Sequence, residues 1–543
     1  MSTQSHNLTD YERAVKEFRL DVPERFNFAR DVIGHWAQDP QKLAMLWLGS
    51  DGSERRLSFD HFAERSDRFA DALQRCGVRR GDRVMVQLPR VPEWWEVLLG
   101  CFKAGAVAVP GTILLTAKDI QYRTQLAQGV AYVTDADGAH KVDQVRGECP
   151  TLDQLFQVGG EPVSEGWRSY AKELEEADGS YQAVDTASAD PALIYFTSGT
   201  VGNPKMVLHT HASYPIGHQI TGRFWLDLKP DDLHLNISET GWAKAAWSSF
   251  LGPWNMGAAL FVQDARGRFN ASETLDLLES YPISTFCAPP TAYRMLVMED
   301  LGRRRPLALR WCVGAGEPLN PEVIETWEKG TGHLIRDGYG QTETVLLCAN
   351  FPGLEVKPGS MGKPSPGMNV AVIDDEGKPL PPDSEGDIAV RMRPQRPVGL
   401  FREYWRNPAA TEACQRGDWY VTGDRAYVDP EGYFWFVGRA DDVIISAGYR
   451  IGPFEVESAL IEHPAVVECA VVGKGDPMRG TIVKAYVILA SGRSGSDALT
   501  QELQEHVRSV TAPYKYPREI EYVSELPKTI SGKIRRVDLR TKG

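Results

Sequence analysis

Ala192-Leu193-Ile194-Tyr195-Phe196 runs directly into Thr197-Ser198-Gly199-Thr200-Val201-Gly202-Asn203-Pro204-Lys205. A short apolar run that ends in a Gly/Ser/Thr turn reads as a buried strand leaving a sheet. Glycines let backbone N–H groups come close to a phosphate, hydroxyls add donors, and lysine adds a point charge. The G-x-x-x-x-G-K-[ST] spacing of a Walker A loop is absent. Taken alone, such a turn is more often only a turn.

The same grammar extends on both sides. Ser58 caps a helix that carries Phe59, Phe62, Ala63, Phe69, Ala70 and Leu73 on one broad face. A strand pattern at 83–88 follows, then a helix through Trp94, Val97, Leu98 and Phe102, with further strands at 106–109, 130–134, 284–288 and 310–314. Strands alternating with helices imply parallel sheet with crossover connections, and ligands gather at the carboxyl ends of such strands. After about 370 the texture changes to short strands and turns (NVAVIDDEGKPL, EGDIAVRM, GYFWFVGR), the mark of a β-rich subdomain. Beyond 439 the pattern is compact α+β, with strands near 466–472 and 482–489 and a helix near 499–510. The expected architecture is α/β. A large N-terminal domain (1–440) of parallel-sheet layers carries the β-rich part (about 370–440), and a small mobile α+β domain (441–543) follows.

Composition narrows the function. At 543 residues the chain exceeds one ordinary core. Its net charge of −13 argues against generic nucleic-acid binding. From Asp441 onward acids and bases balance, and between Arg508 and Arg540 bases outnumber acids, so any anion site is local. Eight scattered cysteines without a C-x-x-C pair disfavour zinc and disulfides and fit a reducing compartment. The greasy stretch 243–262 holds Lys244, two serines, Pro253 and Asn255, so it reads as core rather than as a membrane span. With no apolar signal core at the start, the expected location is cytoplasmic. The expected assembly is a monomer or homodimer.

At full length, TSGTVGNPK resembles the phosphate loop of the acyl-adenylate-forming superfamily, and five further segments resemble that superfamily's motifs in order. The resemblance assigns the triphosphate to Thr197, Ser198, Gly199, Thr200, Gly202 and Lys205. Gly314-Ala315-Gly316-Glu317-Pro318 is similar to the second wall of the nucleotide site, through Gly316 and Glu317. Asp337-Gly338-Tyr339-Gly340-Gln341-Thr342-Glu343 is similar to the adenine segment. There Tyr339 would stack on the base, Thr342 would touch the α-phosphate and Glu343 would hold Mg²⁺, as a hard carboxylate does alongside phosphates. Tyr420-Val421-Thr422-Gly423-Asp424 matches the segment whose aspartate accepts from both ribose hydroxyls. Gly438-Arg439-Ala440-Asp441-Asp442 matches the hinge, with Arg439 on the ribose and Asp441 as pivot. Lys528-Thr529-Ile530-Ser531-Gly532-Lys533 matches the loop of the catalytic lysine, Lys533.

These resemblances imply an AMP-forming acid–CoA ligase that takes ATP, Mg²⁺ and coenzyme A, with Lys533, Thr197, Glu343 and Gly448 as its catalytic positions. Coenzyme A would meet Ala447, Gly448, Tyr449, Arg479, Arg508, Tyr516 and Arg518. The absence of a β-carbon at Gly448 leaves room for the pantetheine arm. Ser238-Glu239-Thr240-Gly241-Trp242 and TAPYKYPREIEYV are similar to the medium-chain acyl-CoA synthetase group. The acyl pocket expected from that likeness holds Trp242, Phe286, Gly314, Gly338, Thr342 and Arg450. Acetyl-CoA synthetases carry a tryptophan where this chain has Gly340, so acids of about C4–C8 rank first and benzoate-like acids second. Lys244 either points away from the pocket or narrows it for branched or aromatic acids. A free-standing amino-acid adenylation enzyme, a light-producing oxygenase and a non-catalytic nucleotide binder are the rival classes.

Overall fold

The computed structural model describes residues 6–197, 204–267, 269–304, 308–446, 449–476, 480–529 and 533–542. Two large sheets dominate. The first has eight strands in the spatial order Glu403–Tyr404, Met206–Thr210, Pro191–Phe196, Val107–Pro110, Arg83–Gln87, Gly129–Thr134, Gln154–Gln157 and Trp167–Ser169. From Pro191–Phe196 onward all neighbours are parallel, while the two strands on the other side pair antiparallel. The second has nine strands, and its six central ones are parallel: Ile335–Gly340, Trp311–Ala315, Thr285–Ala288, Leu233–Asn236, Ala259–Gln263 and Leu43–Leu48.

Between the sheets lies the largest core. Ser58 Oγ accepts from the His61 amide (3.2 Å) and starts the helix Phe59–Arg75, which buries Phe59, Phe62, Phe69, Ala70 and Leu73. Each such side chain contributes roughly 1.5–3 kcal/mol by leaving water. The helix Glu93–Ala104 beside it is buried on every side, as a helix with little polar face must be. Two of its three charged residues, Glu96 and Lys103, are buried and satisfied internally. Glu96 accepts from His61, Arg65 and Tyr170, and Lys103 donates to Asp67 and to the Ala63 carbonyl. Gly100 admits Phe69, whose Cδ1 would lie 2.7 Å from a β-carbon there.

The β-rich part is a five-stranded antiparallel sheet built on Trp419–Val428, which pairs with Gly386–Arg391, Gln415–Arg416 and Phe434–Arg439. The C-terminal part has its own core, with Ile444, Ile451, Val456, Leu460, Val471, Val487, Leu503 and Val507 packed between its strands and helices. The stretch 243–262 forms one-turn helical pieces and then the strand Ala259–Gln263. Among the described residues no helix is long and apolar enough to cross a membrane.

Candidate functional site

Pro191–Phe196 and Met206–Thr210 are antiparallel neighbours, so the loop between them returns on itself at a strand's carboxyl end. Its base is closed by the Thr197 amide donating to the Lys205 carbonyl (2.9 Å). Ser198, Gly199, Thr200 and Gly202 lie outside the described residues. The Lys205 ammonium sits 4.8 Å from the Tyr404 ring centre, and the Tyr404 hydroxyl donates to Glu343 Oε1 (2.8 Å). Burial raises the Glu343 carboxyl above its usual range, with the Tyr404 hydrogen bond and the Lys205 charge opposing. Among the described residues no cluster of three His, Cys, Asp or Glu could hold a metal by itself.

A second group faces the first. Tyr339 Oη and Gln341 Nε2 each donate to Asp424 Oδ2 (2.6 Å), and Gln341 also donates to the Thr422 carbonyl (3.0 Å). The Tyr420 hydroxyl fixes Gln341 from the other side (3.1 Å). Arg439 pairs with Asp424 across the β-rich sheet, and its buried Nε has no hydrogen-bond partner among the described residues. Burial raises the Asp424 carboxyl, opposed by Tyr339, Arg439, Gln341 and Lys533. Lys533 is exposed at its loop, where its amide donates to Thr529 Oγ1 (3.1 Å) and its carbonyl accepts from the Thr529 amide (2.7 Å). Its charge acts on both Asp424 and Lys244. The Thr342 carbonyl is held by the ring of His209 (2.7 Å) and by the Tyr214 hydroxyl (3.2 Å). Burial pushes His209 down to about 3, so the ring is neutral.

Gly316 adopts φ +107° at the turn after Trp311–Ala315, and Glu317 pairs with Arg294 (3.3 Å). Asp337 is buried, accepts from the Gly338 amide (2.9 Å), and is pushed up to about 8, chiefly by burial. An unfolded aspartate titrates near 3.9. The folded chain therefore holds this proton between about pH 4 and 8. The stability it contributes is complete below pH 4 and is lost as pH rises through 8. Asp337→Asn is expected to flatten the decline of melting temperature between pH 6 and 9. A decline parallel to the wild type would contradict the assignment.

Two of the expected acyl-pocket positions, Phe286 and Gly314, face the core of the second sheet. Phe286 and Ala288 point to one face of their strand and Cys287 to the other. Phe286 is fully buried against Tyr293 and Trp327, which makes it a core residue. The open side of Gly314 faces the same core, at Leu319, Ile335 and Tyr293. Gly338 opens to the other face, where Trp225 would stand 2.5 Å from its β-carbon. Trp242 is half-buried at the start of the helix Ala243–Ala246, and Arg450 is exposed on the hairpin Ile444–Ser446/Tyr449–Ile451.

Of the expected coenzyme A residues, Ala447, Gly448 and Arg479 lie outside the described residues. Arg508 and Arg518 lie 3.8 and 4.8 Å from the Tyr516 ring centre, and Arg518 also donates to its hydroxyl. Tyr449 stacks on Tyr514 at 4.3 Å, with both rings exposed. Sequence reasoning missed Tyr404, His209 and Tyr214, which support the motif residues from strands and turns that carry no pattern of their own, and it named Tyr420 only as part of its motif, without its hold on Gln341.

A family model described as AMP-binding enzyme matches residues 34–405, and one described as AMP-binding enzyme C-terminal domain matches 455–533. The chain is 48% identical over 545 residues to acyl-coenzyme A synthetase ACSM3, mitochondrial, of Mus musculus, covering 99% of this chain and 94% of the relative. It is 49% identical over 542 residues to acyl-coenzyme A synthetase ACSM4, mitochondrial, of Homo sapiens, covering 98% and 93%. Among solved structures, the anthranilate CoA ligase AuaEII in complex with anthranoyl-AMP superposes with a TM-score of 0.88 at 31% identity, covering 96% of this chain and 98% of that one. The Brucella canis acyl-CoA synthetase superposes at 0.77 and 34%, covering 98% of each. The names of the two relatives say mitochondrial, which overturns the expectation of a cytoplasmic location.

Proposed function

The chain belongs to the AMP-binding enzyme family and is an AMP-forming acyl-CoA synthetase; we propose that its acid is of medium length, about C4–C8, and that the residues grouped above divide the two half-reactions among them. The compartment read from the relatives' names is the mitochondrion.

In the first half-reaction a carboxylate oxygen bonds to the α-phosphorus of ATP, and pyrophosphate leaves with its electron pair. Two anions must meet, so the barrier is largely electrostatic, and preorganised cations and donors lower it. Lys533 bridges the carboxylate and the α-phosphate. Lys205 and the 197–205 loop hold the β- and γ-phosphates. Glu343 fits Mg²⁺ as its single carboxylate, because that ion is commonly held by one or two carboxylates plus substrate phosphates; bound there, it would neutralise phosphate charge. Tyr339 and Gln341 fix Asp424 through Oδ2, which orients Oδ1 toward the ribose. In the second half-reaction the coenzyme A sulfur bonds to the acyl carbon, and the acyl–phosphate C–O bond breaks to release AMP. Tyr516 between two guanidiniums suits the nucleotide end of coenzyme A.

The observation that carries this reading is the convergence of Lys205, Glu343, Asp424 and the charge of Lys533 at the carboxyl ends of parallel strands. Aryl acids are the second reading, favoured by the likeness to the anthranilate CoA ligase. The test is a panel from acetate to decanoate with isobutyrate, 2-methylbutyrate and benzoate, scored by coenzyme-A-dependent AMP release. A C4–C8 acid is expected to exceed acetate by at least about tenfold in kcat/KM, since each methylene in an apolar pocket is worth roughly 1–3 kcal/mol. Equal use of acetate, or release of ADP in place of AMP, overturns the proposal.

A further inference from the structure

Lys244 is the residue to which the sequence gives two opposite readings, outward or into the pocket. The one-turn helix Ala243–Ala246 sends its side chain inward, over the carboxyl ends of Thr285–Ala288, Trp311–Ala315 and Ile335–Gly340. Its ammonium donates to the Ala315 carbonyl. It lies 2.9 Å from where a β-carbon on Gly316 would stand. An ammonium has three N–H donors, and among the described residues no second acceptor reaches this one. Its nearest acids, Glu317 and Asp337, favour its charge without making an ion pair with it. Glu317 is paired with Arg294, and Asp337 keeps its proton through neutral pH. Burial lowers the Lys244 pKa, and the nearby charge of Lys533 adds to that lowering. Two cations close enough to act on each other, the fixed one without an ion-pair partner among the described residues, favour an anion between them.

We propose that Lys244 is a second catalytic cation, fixed on the sheet, which binds the phosphate of acyl-AMP opposite Lys533 and remains in place when Lys533 withdraws. The proposal rests on the two-step ligase reading above. Its chemistry belongs chiefly to the second step. The phosphate of acyl-AMP carries one negative charge, and AMP departs with two. When sulfur bonds to the acyl carbon and the C–O bond breaks, the electron pair goes to the AMP phosphate and the thiol proton goes to water. The charge that grows on the departing phosphate needs a positive group that does not leave with the moving domain. Lys244 supplies it.

The experiment separates the half-reactions in Lys244→Met, Lys244→Gln and Lys244→Arg. Thioester formation from synthetic butyryl-AMP and coenzyme A is expected to fall roughly 10²-fold in the Met and Gln variants, by analogy with losing one preorganised charge-stabilising group. Arginine restores most of the rate. Gln is the variant of record if Met does not fold. Thioester formation within about twofold of the wild type in a folded neutral variant overturns the proposal, including the case in which only the preferred chain length moves. Wild-type protein assayed alongside keeps the two ideas apart. Failure of the wild type to release AMP strikes the ligase reading, whereas normal wild-type activity with an unimpaired neutral variant strikes Lys244 alone.

Discussion

Lys533→Ala is expected to slow acid-dependent ATP–pyrophosphate exchange by roughly 10²–10³-fold, the usual effect of removing one preorganised charge-stabilising group. The substitution should leave the fold intact. Lys533 is exposed, and its loop is held by backbone bonds to Thr529 that an alanine can also make. Exposed substitutions of this kind usually stay within about 0.5 kcal/mol. The loss therefore belongs to chemistry, and ATP should still bind through Lys205, Asp424 and the adenine segment. Near-normal exchange in the variant would remove Lys533 from the first step.

The second large effect is at the hinge. The Ala440 amide donates to the Gly423 carbonyl (3.0 Å), which ties it to the β-rich sheet. The Asp442 carboxylate pairs with Arg536 and Arg540, which ties it to the terminal helix Arg536–Lys542. Asp441 is the residue between these anchors. The turn is closed by the Asp442 and Val443 amides, both donating to the Arg439 carbonyl (2.9 and 3.2 Å), so a proline at 441 takes away neither bond. It does fix φ near −65° and restrict residue 440. Asp441→Pro is therefore expected to form acyl-AMP within a few-fold of the wild-type rate while thioester formation falls by more than about 10²-fold, since coenzyme A cannot enter while Lys533 occupies its path. Parallel loss of both steps, measured by pyrophosphate exchange and by acyl-CoA formation, would count against a pivot at this position.

The parts of this molecule that were legible beforehand are those whose residues carry their own signal. The apolar run into TSGTVGNPK was read as a strand entering a loop, and Pro191–Phe196 is that strand. Alternation after residue 370 gave the β-rich sheet, and Ser58 gave the start of its helix. Ile335–Gly340 was read only as a nucleotide segment, because D-G-Y-G has little strand preference; its pairing with Trp311–Ala315 and Leu346–Ala349 makes it a strand. For Phe286, a period of two says that neighbours face opposite ways, but not which face meets the ligand. Lys244 could not be oriented at all, since its direction depends on how the turn at Trp242 meets the second sheet. Tyr404 gives no sequence signal for its hold on Glu343, and the motif that contains Tyr420 does not announce that residue's hold on Gln341.

One measurement reaches the central claim directly: the rate at which Lys533→Ala converts preformed acyl-AMP and coenzyme A to thioester. If this ammonium serves only the meeting of carboxylate and ATP and then moves aside, the variant should match the wild type within a few-fold, despite its crippled pyrophosphate exchange. A loss as deep as that in exchange would contradict a lysine that works in one half-reaction and retreats for the other.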